Sequence, residues 1–411
     1  MSNTQYGRLV EKAIQKRQRI LTAALAQRPF MDSMIVWARE LDIVNKRITV
    51  DSEVAEKAAK EYKRIGEHLV ERLHWPQQAI SVFPQGSTQT QTLIAPATST
   101  KFDIDAVCQV DVTQIHASDP MGFFDQVGAG LEDFELEEKN RCWRVLFPSE
   151  RFYIDFTPSI PLAQASFEIR RETRYRTSLY SETALAVVDR PTKAWKTSNP
   201  EGFGKWVNTQ AGRIVLRTLL LETALNKAAM DSVTPVPSQE VPLSDTLRVA
   251  IRLFKRHRDI TVQRGLLQSE YQPISVIIAT LLTQCYEGLA DNGTTFAHPI
   301  DLLIELAELL PYMVDIQNGE YWIANPTVEG ENFAERWNHD GGLRKQAFEF
   351  WCKRLAQDLN EILLAKTPED VRTKVQRVFG CVGATSPTPG GGLAPKAPTK
   401  VTPVTPTRGL A

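Results

Sequence analysis

Three carboxylates sit on apolar runs in a pattern that suits metal-assisted chemistry on phosphates. Asp103 and Asp105 alternate with Phe102, Ile104 and Ala106, and Asp155 stands between Ile154 and Phe156. On a β-strand alternate side chains take opposite faces, so Asp103 and Asp105 share the face turned away from the core. Carboxylates converging on one spot repel one another unless cations separate them. Mg2+ is the natural cation, with Mn2+ as its substitute, because it takes hard oxygen ligands and keeps positions open for phosphate. Two such ions about 4 Å apart activate an attacking hydroxyl and steady a leaving pyrophosphate. Just ahead of the paired aspartates runs Phe83-Pro84-Gln85-Gly86-Ser87-Thr88. Its Gly-Ser turn offers backbone N–H groups to phosphate oxygens, and glycine lets the chain approach closely. Either motif alone is common. The ordered set of Gly-Ser turn, Asp-x-Asp and a third strand aspartate is the strongest chemical signal in the chain.

Several elements must position these residues. Residues 6–26 read as a basic helix ended by Arg28-Pro29, and 32–46 as a second helix. Asp51-Ser52-Glu53 opens a longer one, with an apolar stripe of Val54, Ala58, Tyr62, Ile65, Leu69 and Leu73 that Pro76 closes. This spine delivers the chain to a strand over 79–83 and the Gly-Ser turn. Further strands are expected over 103–112, 142–147 and 151–157, with a helix over 121–134 between the first two. The short loop Pro148-Ser149-Glu150 makes a hairpin of the last two strands. Pro158 and Pro161 should end this part.

The second half reads as mostly helical. Asn199 to Gly204 reads as a turn before a helix from Trp206, and 231–242 as a Pro-rich loop. Over 243–259, Leu247, Ile251 and Phe254 form a buried stripe, while Arg248, Arg252 and Lys255 stack on another face. Pro273-Ile274-Ser275 opens an almost wholly apolar helix, and Ser275 in its first turn either meets an anion or caps the helix. Arg170, Arg171, Arg174 and Arg176 form a local basic cluster, read either as a phosphate contact or as a solvated face balanced by Glu168 and Glu172. Thr367-Pro368 starts a last helix that Gly380 stops. Residues 382–411 are rich in Pro, Thr, Gly and Ala without an acidic residue, a composition that cannot bury a core.

Composition narrows the field. The chain of 411 residues is long enough for two cores, and its 42% hydrophobic and 24% charged content is that of a globular protein. A formal charge of −1 gives no global mark of nucleic-acid binding. The five cysteines are scattered, without a CxxC pair, and the histidines show no zinc spacing. The expectation is a soluble protein of a reducing cytoplasm, with no membrane contact and no disulfide partner. The longest apolar run, 274–282, is too short to span a bilayer.

The Gly-Ser and Asp-x-Asp motifs with a third aspartate resemble the polymerase-β-type nucleotidyltransferase superfamily. Three later blocks narrow the resemblance to the bacterial cGAS/DncV-like nucleotidyltransferases (CD-NTases) of CBASS anti-phage systems, over roughly residues 50–365. These are Asn199 to Trp206, Leu253 to Asp259 with Pro273-Ile274-Ser275, and Asn325-Pro326-Thr327 with Glu331 to Trp337.

The resemblance implies an α+β, bilobed fold: a small mixed β-sheet catalytic lobe with a long spine helix, and a helical C-terminal lobe completing the NTP cleft. The corresponding division is 1–198, 199–381 and a tail 382–411. It implies an enzyme that condenses NTPs, ATP among them, into a cyclic or short linear oligonucleotide messenger for a downstream effector. Asp103, Asp105 and Asp155 would hold two Mg2+ ions, and Asp155 would also help activate the acceptor hydroxyl. Gln85, Gly86 and Ser87 would hold the triphosphate from one side, Lys255 and Ser275 from the other. Many members carry Gly-Thr after the Gly-Ser turn where this chain has Gln91-Thr92. The tail ending Arg408-Gly409-Leu410-Ala411 is similar to termini that a ubiquitin-transfer-like (E1/E2-like) enzyme attaches to targets. Two other readings stay open: transfer to an RNA, small-molecule or protein acceptor, and a catalytically silent nucleotide or RNA sensor.

Overall fold

The computed structural model describes residues 4–17, 31–98, 100–172, 180–213, 215, 238–296 and 299–381. Helices α1 (Gln5–Lys16), α2 (Met31–Arg47) and α3 (Ser52–Leu73) come first. Asp51 caps α3 by accepting the Glu53 N–H at 2.9 Å, and Ala58, Tyr62, Ile65 and Leu69 form its buried stripe. The helix stops at His74, in the left-handed region at φ 53°, two residues before the expected proline.

A mixed sheet of seven strands follows. Its elements are β1 (Ile80–Pro84), α4 (Gly86–Gln89), β2 (Phe102–Val110), α5 (Pro120–Gly130), β3 (Glu135–Glu138), β4 (Trp143–Leu146), β5 (Phe152–Pro161), α6 (Phe167–Glu172), β6 (Leu185–Asp189) and β7 (Ala194–Ser198). β1 pairs antiparallel with β2, and β2 pairs parallel with β5. The first half of β5 then pairs antiparallel with β4, which pairs with β3. The second half of β5 pairs with β6, which pairs with β7. Spine helix α3 and α5 bury their apolar faces against one side of this sheet.

Two sequence expectations change here. β5 continues through Pro158 to Pro161. Pro158 falls in the gap between the partners β4, which ends opposite Phe156, and β6, which begins opposite Ser159. In that gap a missing N–H leaves the neighbouring ladders intact. Strands β3, β6 and β7 were not expected; β3 is four residues with three glutamates, too short and too charged to show a period.

The rest is helical: α7 (Pro200–Ala211), α8 (Thr246–Gln263), α9 (Ser275–Asp291), α10 (Pro299–Leu309), a small hairpin of β8 (Asp315–Gln317) and β9 (Glu320–Trp322), α11 (Leu343–Leu363) and α12 (Pro368–Phe379). These helices share one apolar core, which also takes in Val10 and Ala13 of α1 and Trp37, Leu41 and Val44 of α2. The sequence groups α1 and α2 with the strands; packing places them in the helical lobe. At the centre of this core His257 is wholly buried. The Trp351 indole N–H donates to its Nδ1 at 3.0 Å, which leaves Nε2–H to donate to Asp358 at 3.1 Å. Burial first of all pushes the His257 pKa down, so the ring stays neutral.

The segment from Asn199 to Gly204 is the capped start of α7 and no separate turn. Asn199 is fully buried, and its Oδ1 accepts the Gly202 N–H at 2.9 Å while Pro200 occupies the first helical position. The Asn199 Nδ2 donates to the carbonyls of Tyr180 and Thr327, and the Thr183 hydroxyl donates to its Oδ1. One side chain thus ties the last strand of the sheet to the helical lobe. The expected helix beyond residue 17, Arg174 and Arg176 of the basic cluster, most of the 231–242 loop and the tail 382–411 lie outside the described residues. Among those described, no helix is long and apolar enough to cross a membrane.

Replacing Asn199 removes a helix cap and takes one donor each from the carbonyls of Tyr180 and Thr327. Asn199→Ala is expected to lower unfolding free energy by about 2–4 kcal/mol, read from urea denaturation. A loss within a few tenths of a kcal/mol would show that the junction does not depend on this residue.

Candidate active site

Strand register brings the three aspartates together. Parallel pairing sets Asp105 of β2 directly opposite Asp155 of β5, and Asp103 opposite Tyr153. Phe102, Ile104 and Ala106 are buried while Asp103 is exposed and Asp105 half-buried, so the carboxylates occupy the open face. The Gly-Ser turn closes over the same spot. The Gln85 N–H donates to the Asp105 carbonyl at 3.0 Å, and its side-chain amide donates to the Thr157 hydroxyl at 3.1 Å. Gly86 takes φ 60°, and a Cβ there would stand 2.4 Å from Asp105 Oδ2. Both facts demand glycine: the backbone is left-handed and packed on the carboxylate. Ser87 is half-buried in the following turn, α4.

The expected glycine after this turn is replaced by Gln91, and Gln91 itself adopts the left-handed conformation at φ 58°. Here α4 forms without the glycine. The Gln91 side chain reaches the Ser238 carbonyl at 2.7 Å.

Arg144 is the site residue that sequence reasoning missed. It lies on β4 directly opposite Asp155. Its guanidinium binds the Asp155 carboxylate in bidentate fashion at 2.7 and 2.9 Å and stacks over the Tyr153 ring at 3.7 Å. The pair holds the Arg144 pKa above its ordinary value. A signal existed: a hairpin folded about the 148–150 loop must set position 144 against position 155. Tyr153 shares this face, and burial, then the Asp103 charge, push its hydroxyl up to about 12.

The helical lobe contributes Lys255 from α8 and Ser275 from the start of α9. The Lys255 ammonium is buried and donates to the Thr92 carbonyl at 2.9 Å. Burial, then neighbouring Arg258, bring its pKa down to about 8, while Asp103 and Asp105 act in the opposite direction. The Ser275 hydroxyl accepts from Arg258 at 3.1 Å, and Ile274 is the N-cap. Ser275 does not cap its own helix. Arg258, held also by Asp259 and the Pro273 carbonyl, is a second cation that spacing alone did not single out. The other two cations of the expected stack do not point into the cleft. Arg248 donates to the Thr90 carbonyl at 3.0 Å, and buried Arg252 to the carbonyls of Gln239 and Asn45.

The donor set is three hard carboxylates, which suits Mg2+ or Mn2+ in chemistry. Among the described residues no three acidic, histidine or cysteine side chains form a metal-sized group, and both Asp155 oxygens accept from Arg144. Asp155 would have to exchange that guanidinium for an ion. Asp105 feels the crowding most: burial first, then the charges of Asp103 and Asp155, push its pKa well above the ordinary carboxylate range.

Residues 80–158 match the model of the cyclic GMP-AMP synthase DncV-like nucleotidyltransferase domain. A c-di-GMP synthase of Roseivirga ehrenbergii is 26% identical over 306 residues, covering 73% of this chain and 72% of that protein. The cyclic dinucleotide synthase CdnG of Bradyrhizobium diazoefficiens is 24% identical over 324 residues, 75% of this chain and 71% of that one. The structure of that CdnG in complex with GTP superposes with a TM-score of 0.55 at 20% sequence identity, over 86% of this chain and 96% of that chain. The two chains share the bilobed α+β fold.

The raised Asp105 pKa has a sign. The folded chain holds this proton more tightly than the unfolded chain does. Its contribution to stability is therefore present at acid pH and is lost as pH rises from the unfolded carboxylate value toward the raised one. Asp105→Asn is expected to raise the melting temperature in EDTA near neutral pH by about 2–4 °C per kcal/mol relieved and to flatten the decline above acid pH. An unchanged or lower melting temperature near neutral pH would show that the carboxylates are not crowded.

Proposed function

Because this chain belongs to the DncV-like nucleotidyltransferases (CD-NTases), we propose that it joins nucleoside triphosphates into a guanine-containing cyclic dinucleotide messenger. The observation that carries this reading is Asp105 set in register with Asp155, with Asp103 two residues away, under a Gly-Ser turn in a matching domain. The names of the relatives, a c-di-GMP synthase and a cyclic dinucleotide synthase solved with GTP, make GTP the first substrate to test and ATP the second.

Asp103, Asp105 and Asp155 would hold two Mg2+ or Mn2+ ions. Bound there, such ions neutralise phosphate charge and make a ribose hydroxyl easier to deprotonate. The backbone of Gly86 and Ser87, with Gln85, would hold the terminal phosphates. Lys255 and Ser275 would meet the same triphosphate from the helical lobe, with Arg258 adding positive charge behind the Ser275 hydroxyl. Asp155, exchanging its hold on Arg144, would accept the proton of the attacking hydroxyl. That oxygen bonds to the α-phosphorus as the bond to the bridging oxygen breaks and pyrophosphate leaves, and a second such step closes the ring. The gain in rate comes mostly from positioning and charge neutralisation.

The product would act on an effector in anti-phage signalling, in a reducing cytoplasm. The tail 382–411 is offered as the segment that an E1/E2-like enzyme would conjugate. The near-neutral charge weighs against an RNA-tailing role, which calls for a basic groove. A sensor without catalysis would have no need of three mutually repelling carboxylates.

Purified protein incubated with Mg2+ or Mn2+ and GTP alone, ATP alone or both is expected to form a phosphatase-resistant dinucleotide that contains guanine. Formation should fall to background in the Asp103→Asn/Asp105→Asn double variant. A product extended from added RNA, with none from NTPs alone, would overturn the cyclic-messenger reading in favour of tailing.

A further inference from the structure

The Gly-Ser turn is gripped from behind. Helix α4 has four residues, and the chain reverses at Gln91, so the carbonyls of its last turn have few regular partners. Those of Gly86 and Ser87 are satisfied within the turn, by the N–H groups of Thr90 and Thr92, and that of Thr88 accepts the Gln91 N–H at 3.3 Å besides the side chain named next. The next carbonyls at alternate positions are each taken by a side chain from beyond residue 237. Gln239 Nε2 donates to Thr88 O at 3.0 Å, Arg248 Nε to Thr90 O at 3.0 Å, and Lys255 Nζ to Thr92 O at 2.9 Å. Gln91 returns the contact to Ser238 O.

Arg248 is the centre of this grip. Besides Thr90 O it holds the Asn208 side chain of α7 at 2.7 Å and pairs with Asp245, the N-cap of its own helix α8. Its side chain is mostly buried, so the guanidinium is fixed on three sides and has little freedom to reach the cleft. Cations at carbonyl-rich helix ends are favourable, and hydrogen bonds to a charged group are the stronger kind. Gln239 is itself fastened, since its carbonyl accepts from buried Arg252 at 3.1 Å. On the opposite side of the turn, Gly86 presses directly on Asp105. A shift of the turn backbone therefore changes both its N–H array and the surroundings of a site carboxylate.

We propose that Arg248, supported by Gln239, is a positioning residue: it sets the geometry of the Gly86–Thr92 turn from the helical lobe and never touches the triphosphate itself. This rests on the reading of the turn as a phosphate cradle. It recasts the stack of three cations on α8. Arg248 and Arg252 shape and brace the cradle, and only Lys255 stands within reach of the aspartates. Because the grip comes from the second lobe, the turn is competent only while α7 and α8 are docked against it.

Hydrogen–deuterium exchange of the full chain without nucleotide tests the placement. Amides of residues 86–92 should exchange about tenfold to a hundredfold faster in Arg248→Met, the cost of one or two charge-assisted hydrogen bonds, while β2 amides stay as in wild type. Arg248→Lys, which can keep the Thr90 contact, should restore part of the protection. Gln239→Met should loosen the same amides, and the effect of the pair should be less than additive. In turnover assays Arg248→Met should lower kcat and raise the KM for GTP together, and Arg248→Lys should recover part of both. Wild-type exchange at 86–92 in both Arg248→Met and Gln239→Met would overturn the proposal. So would loosening that spreads equally through β2, since that is a general loss of stability. Should the wild-type chain form no nucleotide product, the functional reading fails, and the exchange pattern alone still decides what Arg248 does.

Discussion

Asp105 and Asp155 face each other across the parallel pairing of β2 with β5, and much of the catalytic lobe follows from tolerating that pair. Two carboxylates in register, with a third two residues away, cost folding free energy, and burial first, then the charges of Asp103 and Asp155, raise the Asp105 pKa. The strands can afford it because their other face is a continuous apolar layer: Phe102, Ile104 and Ala106 on β2, and Phe152, Ile154 and Phe156 on β5, all buried against α3 and α5. Arg144 answers part of the charge from the neighbouring strand. It binds Asp155 through Nε and Nη2 and lies over the Tyr153 ring, so the same guanidinium neutralises one carboxylate and covers an aromatic face.

The second constraint is that the Gly-Ser turn has too little structure of its own. The N–H groups of this four-residue helix and the residues after it reach the carbonyls of Gly86, Ser87 and Thr88, and the helical lobe supplies side-chain donors to those of Thr88, Thr90 and Thr92. In a cleft between two lobes, the turn proposed to cradle phosphate would thus take its shape from both. The Asn199 junction serves the same end by a different route. It fixes the start of α7, and α7 in turn presents Gly204 to Gln89 of the turn and Asn208 to Arg248.

Much of the architecture was legible in the chain. The stripe from Ala58 to Leu69 has the helical period and a cap ahead of it, so α3 followed from local rules. The alternation in Phe102–Ala106 and the hairpin loop after Phe147 gave β2, β4 and β5. Short or charged strands such as β3 carried no such period, and β5 outran its prolines because its partners change at Pro158. The capped start of α7 was misread because Asn-Pro-Glu-Gly fits a turn and a helix start equally well, and the partners that decide between them, Thr183 and Thr327, come from elsewhere in the chain.

At the site, the types and local spacing of Asp103, Asp105 and Asp155 and the Gly86 turn were set by the sequence, since strand alternation and a left-handed glycine are local properties. Which groups these residues meet was a matter for the tertiary structure. Periodicity placed Arg248, Arg252 and Lys255 on one helical face but could not say what that face opposes. The folded chain sets it against the carbonyls of the turn and against α2, with Lys255 alone near the aspartates. Arg144 meets Asp155 only through the register of two strands, and Ser275 meets Arg258 only through the packing of α8 on α9. The physical reason is the same in each case: a side chain's direction is written in its own few residues, while its partner is written in long-range pairing.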